Sequence, residues 1–215
     1  MKPLAQCRLY TFVDTAYLHG RDPVEVTRQL CEGGSDIIQL RAKGAAASEI
    51  EPLAERILPI TQAAGVWLVI NDHPKAALRV GAPCCHLGQE DFFEAGYRMA
   101  AQVTGCPKEM ALGLSTHSPE QAQRALRAEP DYIAIGPVYA TGTKPTAKPV
   151  TLEYVRWAAT HVKIPWFAIG GINLGNLADV LAAGATRVCV VSAILNTPSV
   201  FKACSEFKAR LTPSA

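Results

Sequence analysis

Short apolar runs alternate with longer segments of helical period along the chain. Eight of these runs predict strands, at 8–13, 36–41, 66–70, 84–88, 110–114, 131–135, 166–169 and 187–191. Helical patterns follow them at 22–33, 48–64, 74–80, 92–102, 118–128, 151–161, 174–183 and 198–211. We therefore expect one helix after each strand and no domain boundary within the chain.

Alternating strands and helices require a parallel sheet with right-handed crossovers. Eight such units fit a closed barrel at the lower end of its size range, since the chain has 215 residues. An open dinucleotide-binding sheet should carry Gly-x-Gly-x-x-Gly after its first strand, where this chain has Val13-Asp14-Thr15-Ala16. The pattern predicts an α/β protein consisting of a single (β/α)₈ TIM barrel domain over residues 1–215.

Composition narrows the functional classes. The chain is 49% hydrophobic and 19% charged with a net charge of +2, which excludes a disordered protein. Its basic residues are scattered singly, so we expect no nucleic-acid partner. Seven cysteines without a Cys-x-x-Cys pair fit a reducing cytoplasm, and no apolar run predicts a targeting segment or membrane span. The oligomeric state is left open.

Polar residues collect where the predicted strands end, which is the end that carries the active site in such barrels. Gln39, Arg41 and Lys43 are spaced by two and therefore share one face, turned toward the barrel mouth. Two cations and an amide there indicate a phosphate-rich ligand. The alternative is a strand that frays into a solvated loop.

Carboxylates follow the third and fourth strands. Asp72, beside Asn71, and Asp91 are expected to lie on the same rim, and Mg²⁺ commonly uses one or two carboxylates together with phosphate oxygens. The alternative is that Asn71-Asp72 forms a turn and that Asp91 only favours a helix start. His86 is expected to be a hydrogen-bonded core residue rather than a metal ligand.

Three further loops complete the rim. Gly170-Gly171 and Val191-Ser192 follow strands seven and eight, the recurrent phosphate site of these barrels. The helix-free stretch 136–149 is the longest in the chain and indicates a lid or binding loop. His117 is interpreted as part of a helix start rather than as an acid or base.

Seven segments at these strand ends resemble, in order, the thiamine phosphate synthase family. They are residues 39–43, 71–72, 86–91, 113–117, 136–138 with 141–144, 169–172 and 191–194. The resemblance implies that 4-amino-5-hydroxymethyl-2-methylpyrimidine pyrophosphate is joined to a thiazole phosphate, with thiamine phosphate and pyrophosphate as products.

The resemblance also implies roles for individual residues. Gln39 and Ser115 would contact the pyrimidine, and Asp72 and Asp91 would bind Mg²⁺. The pyrophosphate would be held by Arg41, Lys43, Asn71 and Lys144, and the thiazole phosphate by Thr141, Thr143, Gly171, Val191 and Ser192. Catalysis would rest on Arg41, Lys43, Lys144 and Ser115.

Two other functions fit parts of this pattern. A thiazole tautomerase would share the barrel, Ser115, His117 and Gly170-Gly171, but would not need Arg41, Lys43, Asp72 and Asp91 together. A non-catalytic sensor of a phosphate ligand would have no use for a leaving-group site.

Overall fold

Eight parallel strands close into a barrel in chain order, and the eighth strand pairs with the first. The computed structural model describes residues 1–105, 108–142 and 149–211. The strands are β1 (Leu9–Asp14), β2 (Ile37–Arg41), β3 (Trp67–Asn71), β4 (Cys84–Gly88), β5 (Ala111–Thr116), β6 (Tyr132–Ile135), β7 (Trp166–Ile169) and β8 (Val188–Cys189). This confirms the predicted (β/α)₈ barrel.

Helices surround the barrel. They are α1 (Pro23–Glu32), α2 (Ala47–Ala63), α3 (Pro74–Val80), α4 (Gln89–Glu94), α5 (Ala101–Thr104), α6 (Pro119–Leu126), α7 (Thr151–His161), α8 (Leu177–Ala182), α9 (Ser192–Leu195) and α10 (Val200–Leu211). Short 3₁₀ turns lie at Leu4–Gln6 and Thr15–Tyr17. Among the described helices, none is long and apolar enough to cross a membrane.

The expectation of one helix after each strand is wrong in two places. The segment 92–102 is not one helix, because α4 ends in a turn in which Gly96 N donates to Phe93 O and Tyr97 N donates to Phe92 O. These paired bonds close a helix C-terminus, and the glycine adopts the left-handed conformation that the turn needs. After β8, the short helix α9 precedes α10 and ends at Leu195, before Pro198.

Three strands extend further at their C-terminal ends than the apolar pattern predicts. β1 reaches Asp14, β3 reaches Asn71 and β5 reaches Thr116. Polar residues continue these strands because their backbone groups still pair across the sheet, for example Asp14 with Arg41 and Ser115 with Ala134. Several predicted site residues are therefore held on strands rather than on loops.

The barrel interior holds a cluster of buried aromatic rings. Phe167 makes edge contacts with Tyr10 and Tyr132, at centroid distances of 5.4 and 5.5 Å. Outside the barrel, apolar side chains such as Leu40 and Ile57 are fully buried between the strands and helices. The interior is thus a packed core with polar hydroxyl groups in it.

One carboxylate organises the N-terminal end of the barrel. Asp36 is 6% exposed and accepts hydrogen bonds from Arg8 N (2.7 Å), Leu9 N (3.0 Å), and Nζ of Lys2 and Lys208 (2.5 Å each). Burial raises the pKa of Asp36, but these hydrogen bonds outweigh burial and the net pKa is lowered. The carboxylate joins the N-terminal segment, β1 and α10.

Asp36→Asn is expected to lower the free energy of unfolding by about 2 kcal/mol at pH 7, because a buried charged acceptor is lost. A lowered folded-state pKa stabilises the fold above the unfolded pKa of about 4, and this contribution disappears as the pH falls further. The variant should therefore also lose part of the acid sensitivity below pH 4. Urea unfolding at pH 7 and pH 3 measures both effects, with the exposed Glu55→Gln as control. Equal stability of Asp36→Asn and the parent at pH 7 would contradict the assignment.

Candidate active site

A cavity of about 550 Å³ opens at the C-terminal ends of the strands. All predicted site residues in the described part of the chain line it: Gln39, Arg41, Lys43, Asn71, Asp72, Asp91, Ser115, Thr141, Gly171, Val191 and Ser192. Thr143 and Lys144 lie outside the described residues. The structure therefore brings together residues from seven strand ends that are far apart in the sequence.

An ion pair fixes the first cation of the cavity. Arg41 Nη1 donates to Asp14 Oδ2 at 2.6 Å, and the two side chains are 11% and 1% exposed. Asp14 Oδ1 also accepts from Ala16 N at 3.0 Å, which holds the carboxylate in place. The guanidinium is thus oriented by the carboxylate, and Lys43 is exposed and lines the same cavity.

Two carboxylates, Asp72 after β3 and Asp91 after β4, line the cavity and interact electrostatically. Asp72 has a left-handed backbone conformation (φ 62°), and its Oδ2 accepts from Asn71 Nδ2 at 2.6 Å. Loss of bulk water near the cavity wall raises the pKa of Asp72, and the negative charge of Asp91 raises it further. Two carboxylates that repel each other while open to solvent form a site that favours a cation.

The opposite wall is neutral and built from backbone. Gly171 has φ 65°, and a Cβ atom there would lie 2.6 Å from Ala140 O, so only glycine allows this close approach to the loop after β6. Tyr139 N donates to Gly170 O at 3.0 Å and locks the two loops together. Val191 and Ser192, at the start of α9, complete this wall.

A buried hydrogen-bond chain forms the floor of the cavity. Its links are Gln39 Nε2 to Tyr10 Oη (2.6 Å), Tyr10 Oη to Tyr132 Oη (3.0 Å), Tyr132 Oη to His86 Nδ1 (3.0 Å) and His86 Nε2 to Ser115 Oγ (2.7 Å). His86 is buried and hydrogen-bonded at both ring nitrogens, which confirms its interpretation as a core histidine.

The helix start after β5 is as predicted. Ser118 accepts from Gln121 N at 3.2 Å and begins α6 with Pro119 in its first turn. His117 lines the cavity, and its Nδ1 is hydrogen-bonded to Gly136 O. The imidazole thereby ties the end of β5 to the loop after β6.

Sequence reasoning missed Asp14, Tyr10 and Tyr132. A signal for the first two exists, because Tyr10, Phe12 and Asp14 alternate along β1, and Phe12 and Asp14 pair in register with Gln39 and Arg41. For Tyr132 there is none, since an aromatic residue near the start of an apolar strand is equally typical of the outer core. Its position inside the barrel follows only from the observed register.

The fold and this cavity define the chain as a (β/α)₈ barrel with a polar site at the C-terminal ends of its strands, the arrangement of barrel enzymes. A family model described as thiamine monophosphate synthase matches residues 9–194. The chain belongs to this family.

Individual relatives agree with the family match. The thiamine-phosphate synthase of Thermus thermophilus is 44% identical over 187 residues, covering 86% of this chain and 87% of the relative. That of Acidothermus cellulolyticus is 40% identical over 215 residues, covering 99% and 98%. The solved thiamine phosphate pyrophosphorylase of Pyrococcus furiosus superposes with a TM-score of 0.80 at 28% identity, covering 97% and 96%.

Replacement of both members of the Asp14–Arg41 pair tests its coupling. Asp14→Asn and Arg41→Met should each reduce the free energy of unfolding by about 2–4 kcal/mol, since each leaves a buried charge without its partner. The destabilisation of the double variant should be about 1–3 kcal/mol smaller than the sum of the two single-variant effects. Urea denaturation of the four proteins measures this coupling. Additivity of the two single effects would show that the pair does not hold Arg41.

Proposed function

We propose that this protein joins 4-amino-5-hydroxymethyl-2-methylpyrimidine pyrophosphate to a thiazole phosphate, giving thiamine phosphate and pyrophosphate. Family membership supports the reaction. The observation that carries the proposal is the division of one cavity into a charged wall, with Arg41, Lys43 and the carboxylates, and a neutral backbone wall at Gly171 and Ser192. Two different anionic groups can therefore bind at opposite sides of one space.

The charged wall suits the leaving pyrophosphate. The bond between the pyrimidine methylene carbon and the pyrophosphate oxygen breaks, and the bonding electrons leave with the pyrophosphate. Arg41, held by Asp14, and the exposed Lys43 offer positive charge to the departing group, with Asn71 as a further donor. Lys144 is assigned the same role by family resemblance.

The thiazole nitrogen then forms the new bond to the methylene carbon. This nitrogen carries no proton, so the reaction needs no general base. Gly171, Val191 and Ser192 are proposed to hold the thiazole phosphate, with Thr141 beside them and Thr143 assigned by resemblance. Catalysis would rest on stabilisation of the departing pyrophosphate and on positioning, with a transient pyrimidine-methyl cation stabilised by the ring amino group.

Mg²⁺ is the proposed cofactor, bound by Asp72 and Asp91. Within the described ranges, no group of three or more His, Cys, Asp or Glu residues could hold a metal ion. The donor set nevertheless fits Mg²⁺, which prefers oxygen ligands and commonly combines one or two carboxylates with waters and substrate phosphates. A bound Mg²⁺ would supply positive charge to the pyrophosphate.

The direct test is incubation of the purified protein with both half-substrates and Mg²⁺. Formation of thiamine phosphate and pyrophosphate in equal amounts, measured by chromatography, is expected. A protein that isomerises the thiazole without coupling would be the tautomerase, and one that binds the phosphates without turnover would be a sensor. Either result would replace the proposal.

Asp72→Asn and Asp91→Asn test the metal site. Each removes one carboxylate ligand, so the Mg²⁺ concentration for half-maximal rate should rise at least about tenfold. Each substitution also relieves the repulsion between the two carboxylates, so the free energy of unfolding should be unchanged or slightly higher. Asp179→Asn, at an exposed carboxylate on α8, is the matched control. Parent-like Mg²⁺ dependence in both site variants would remove the assignment.

Ser192→Asp tests the neutral wall. A carboxylate placed there should repel the thiazole phosphate and raise its KM at least about tenfold, while the KM for the pyrimidine pyrophosphate changes little. Ser199→Asp introduces the same charge at the start of α10, where the serine Oγ accepts from Lys202 N, and serves as control. If thiazole phosphate dependence is the same in both variants, its phosphate binds elsewhere.

A further inference from the structure

The buried hydrogen-bond chain beneath the cavity connects the two residues assigned to the pyrimidine. Its central members, Tyr10 and Tyr132, are 1% and 0% exposed. Burial raises the pKa of both phenols well above their usual value, so each keeps its hydrogen at neutral pH. The Tyr132 ring occupies the space beside Gly113, where a Cβ atom would lie 2.1 Å from it. The two rings are therefore fixed in place and protonated.

The donors and acceptors along this chain can be followed link by link. The Gln39 amide nitrogen donates to Tyr10, so the Tyr10 hydrogen is directed to Tyr132. With Tyr10 as the donor to Tyr132, the Tyr132 hydrogen is left for His86 Nδ1, which lies 3.0 Å away, and this arrangement places the imidazole hydrogen on Nε2.

The remaining link, between His86 and Ser115, determines which end of the chain donates and which end accepts at the cavity. His86 Nε2–H donates to Ser115 Oγ, so the hydroxyl hydrogen of Ser115 remains for a bound molecule. At the other end, the amide oxygen of Gln39 remains as an acceptor. The two ends thus present one donor and one acceptor.

We propose that this chain makes the site selective for a ring edge with a nitrogen acceptor beside an amino donor, and that Tyr132 is a positioning residue for this selection. The inference rests on the proposed function, in which Ser115 and Gln39 contact the pyrimidine. A 4-aminopyrimidine has this edge. A 4-oxopyrimidine presents the opposite pattern, an N–H donor beside a carbonyl acceptor.

Binding of two non-reacting probes tests the selection. Both probes are phosphate monoesters of 5-hydroxymethyl-2-methylpyrimidine, one with a 4-amino group and the other with a 4-oxo group. Their dissociation constants are measured by isothermal titration calorimetry. The parent should bind the 4-amino probe about 100-fold or more tightly, since a site built for one hydrogen-bond pattern rejects the reverse. In Tyr132→Phe the central link is missing, so the Gln39 amide and the Ser115 hydroxyl can each rotate to the opposite polarity. The ratio of the two probe affinities should then fall below about tenfold.

A matched control separates selection from general loosening. Tyr154→Phe removes the same hydroxyl from a buried tyrosine that is bonded to Thr116 Oγ1 at 2.7 Å, outside the chain. This variant should keep the parent ratio. A purely structural effect of Tyr132→Phe would weaken both probes equally, and an unchanged ratio would overturn the proposal.

The tautomer of His86 provides a readout that does not depend on any ligand. Two-bond ¹H–¹⁵N correlation spectra should show the Nε2–H form in the parent and loss of this preference in Tyr132→Phe. An Nδ1–H form in the parent would overturn the proposal, even if Tyr132→Phe failed to fold. Tyr10→Phe interrupts the chain one link earlier and should reduce the probe ratio in the same way.

Failure of the proposed function gives a different result from failure of the positioning role of Tyr132. If the parent binds neither probe, the pyrimidine site itself is wrong, and the inference falls with it. If the parent binds the 4-amino probe selectively but Tyr132→Phe is equally selective, only the positioning role of Tyr132 is wrong.

Discussion

The organisation of the active site depends on one constraint: polar groups inside a closed barrel must find partners there, because water does not reach them. Tyr10, Tyr132 and His86 satisfy one another across the interior, and Gln39 and Ser115 are bonded at the two ends of this chain. Unpaired buried hydroxyl or imidazole groups would cost roughly 1–3 kcal/mol each. The hydrogen-bond pairing of these buried groups therefore also determines which donor and which acceptor the floor of the cavity presents.

The sequence predicted the barrel and most of its cavity because both follow from short-range patterns. Strands appear as apolar runs, and residues such as Gln39, Arg41 and Asp72 stand where those runs end. What it did not predict depends partly on contacts between distant segments and partly on a local turn. The pairing of Asp14 with Arg41 needs the register of β1 on β2, and the turn that ends α4 depends on two backbone hydrogen bonds rather than on periodicity.

Two carboxylate sites at opposite ends of the barrel show how surroundings decide the use of a charge. Asp36 is surrounded by donors that outweigh the effect of burial, so its charge stabilises the fold. Asp72 faces Asp91, and its charge is disfavoured in the free protein. The carboxylate at the N-terminal end thus stabilises the fold, while the carboxylates at the C-terminal end retain electrostatic repulsion that a bound cation can relieve.

This separation also explains why the barrel alone does not identify the reaction. Barrels of this kind host many unrelated reactions. Many sequences can provide the strand pairing, the apolar packing outside the strands and the hydrogen bonds around Asp36 at the N-terminal end of the barrel. The rim is more restrictive, because Arg41 needs Asp14 beneath it and Gly171 cannot carry a side chain. Substrate choice must therefore reside in these few rim contacts and in the interior groups that orient them.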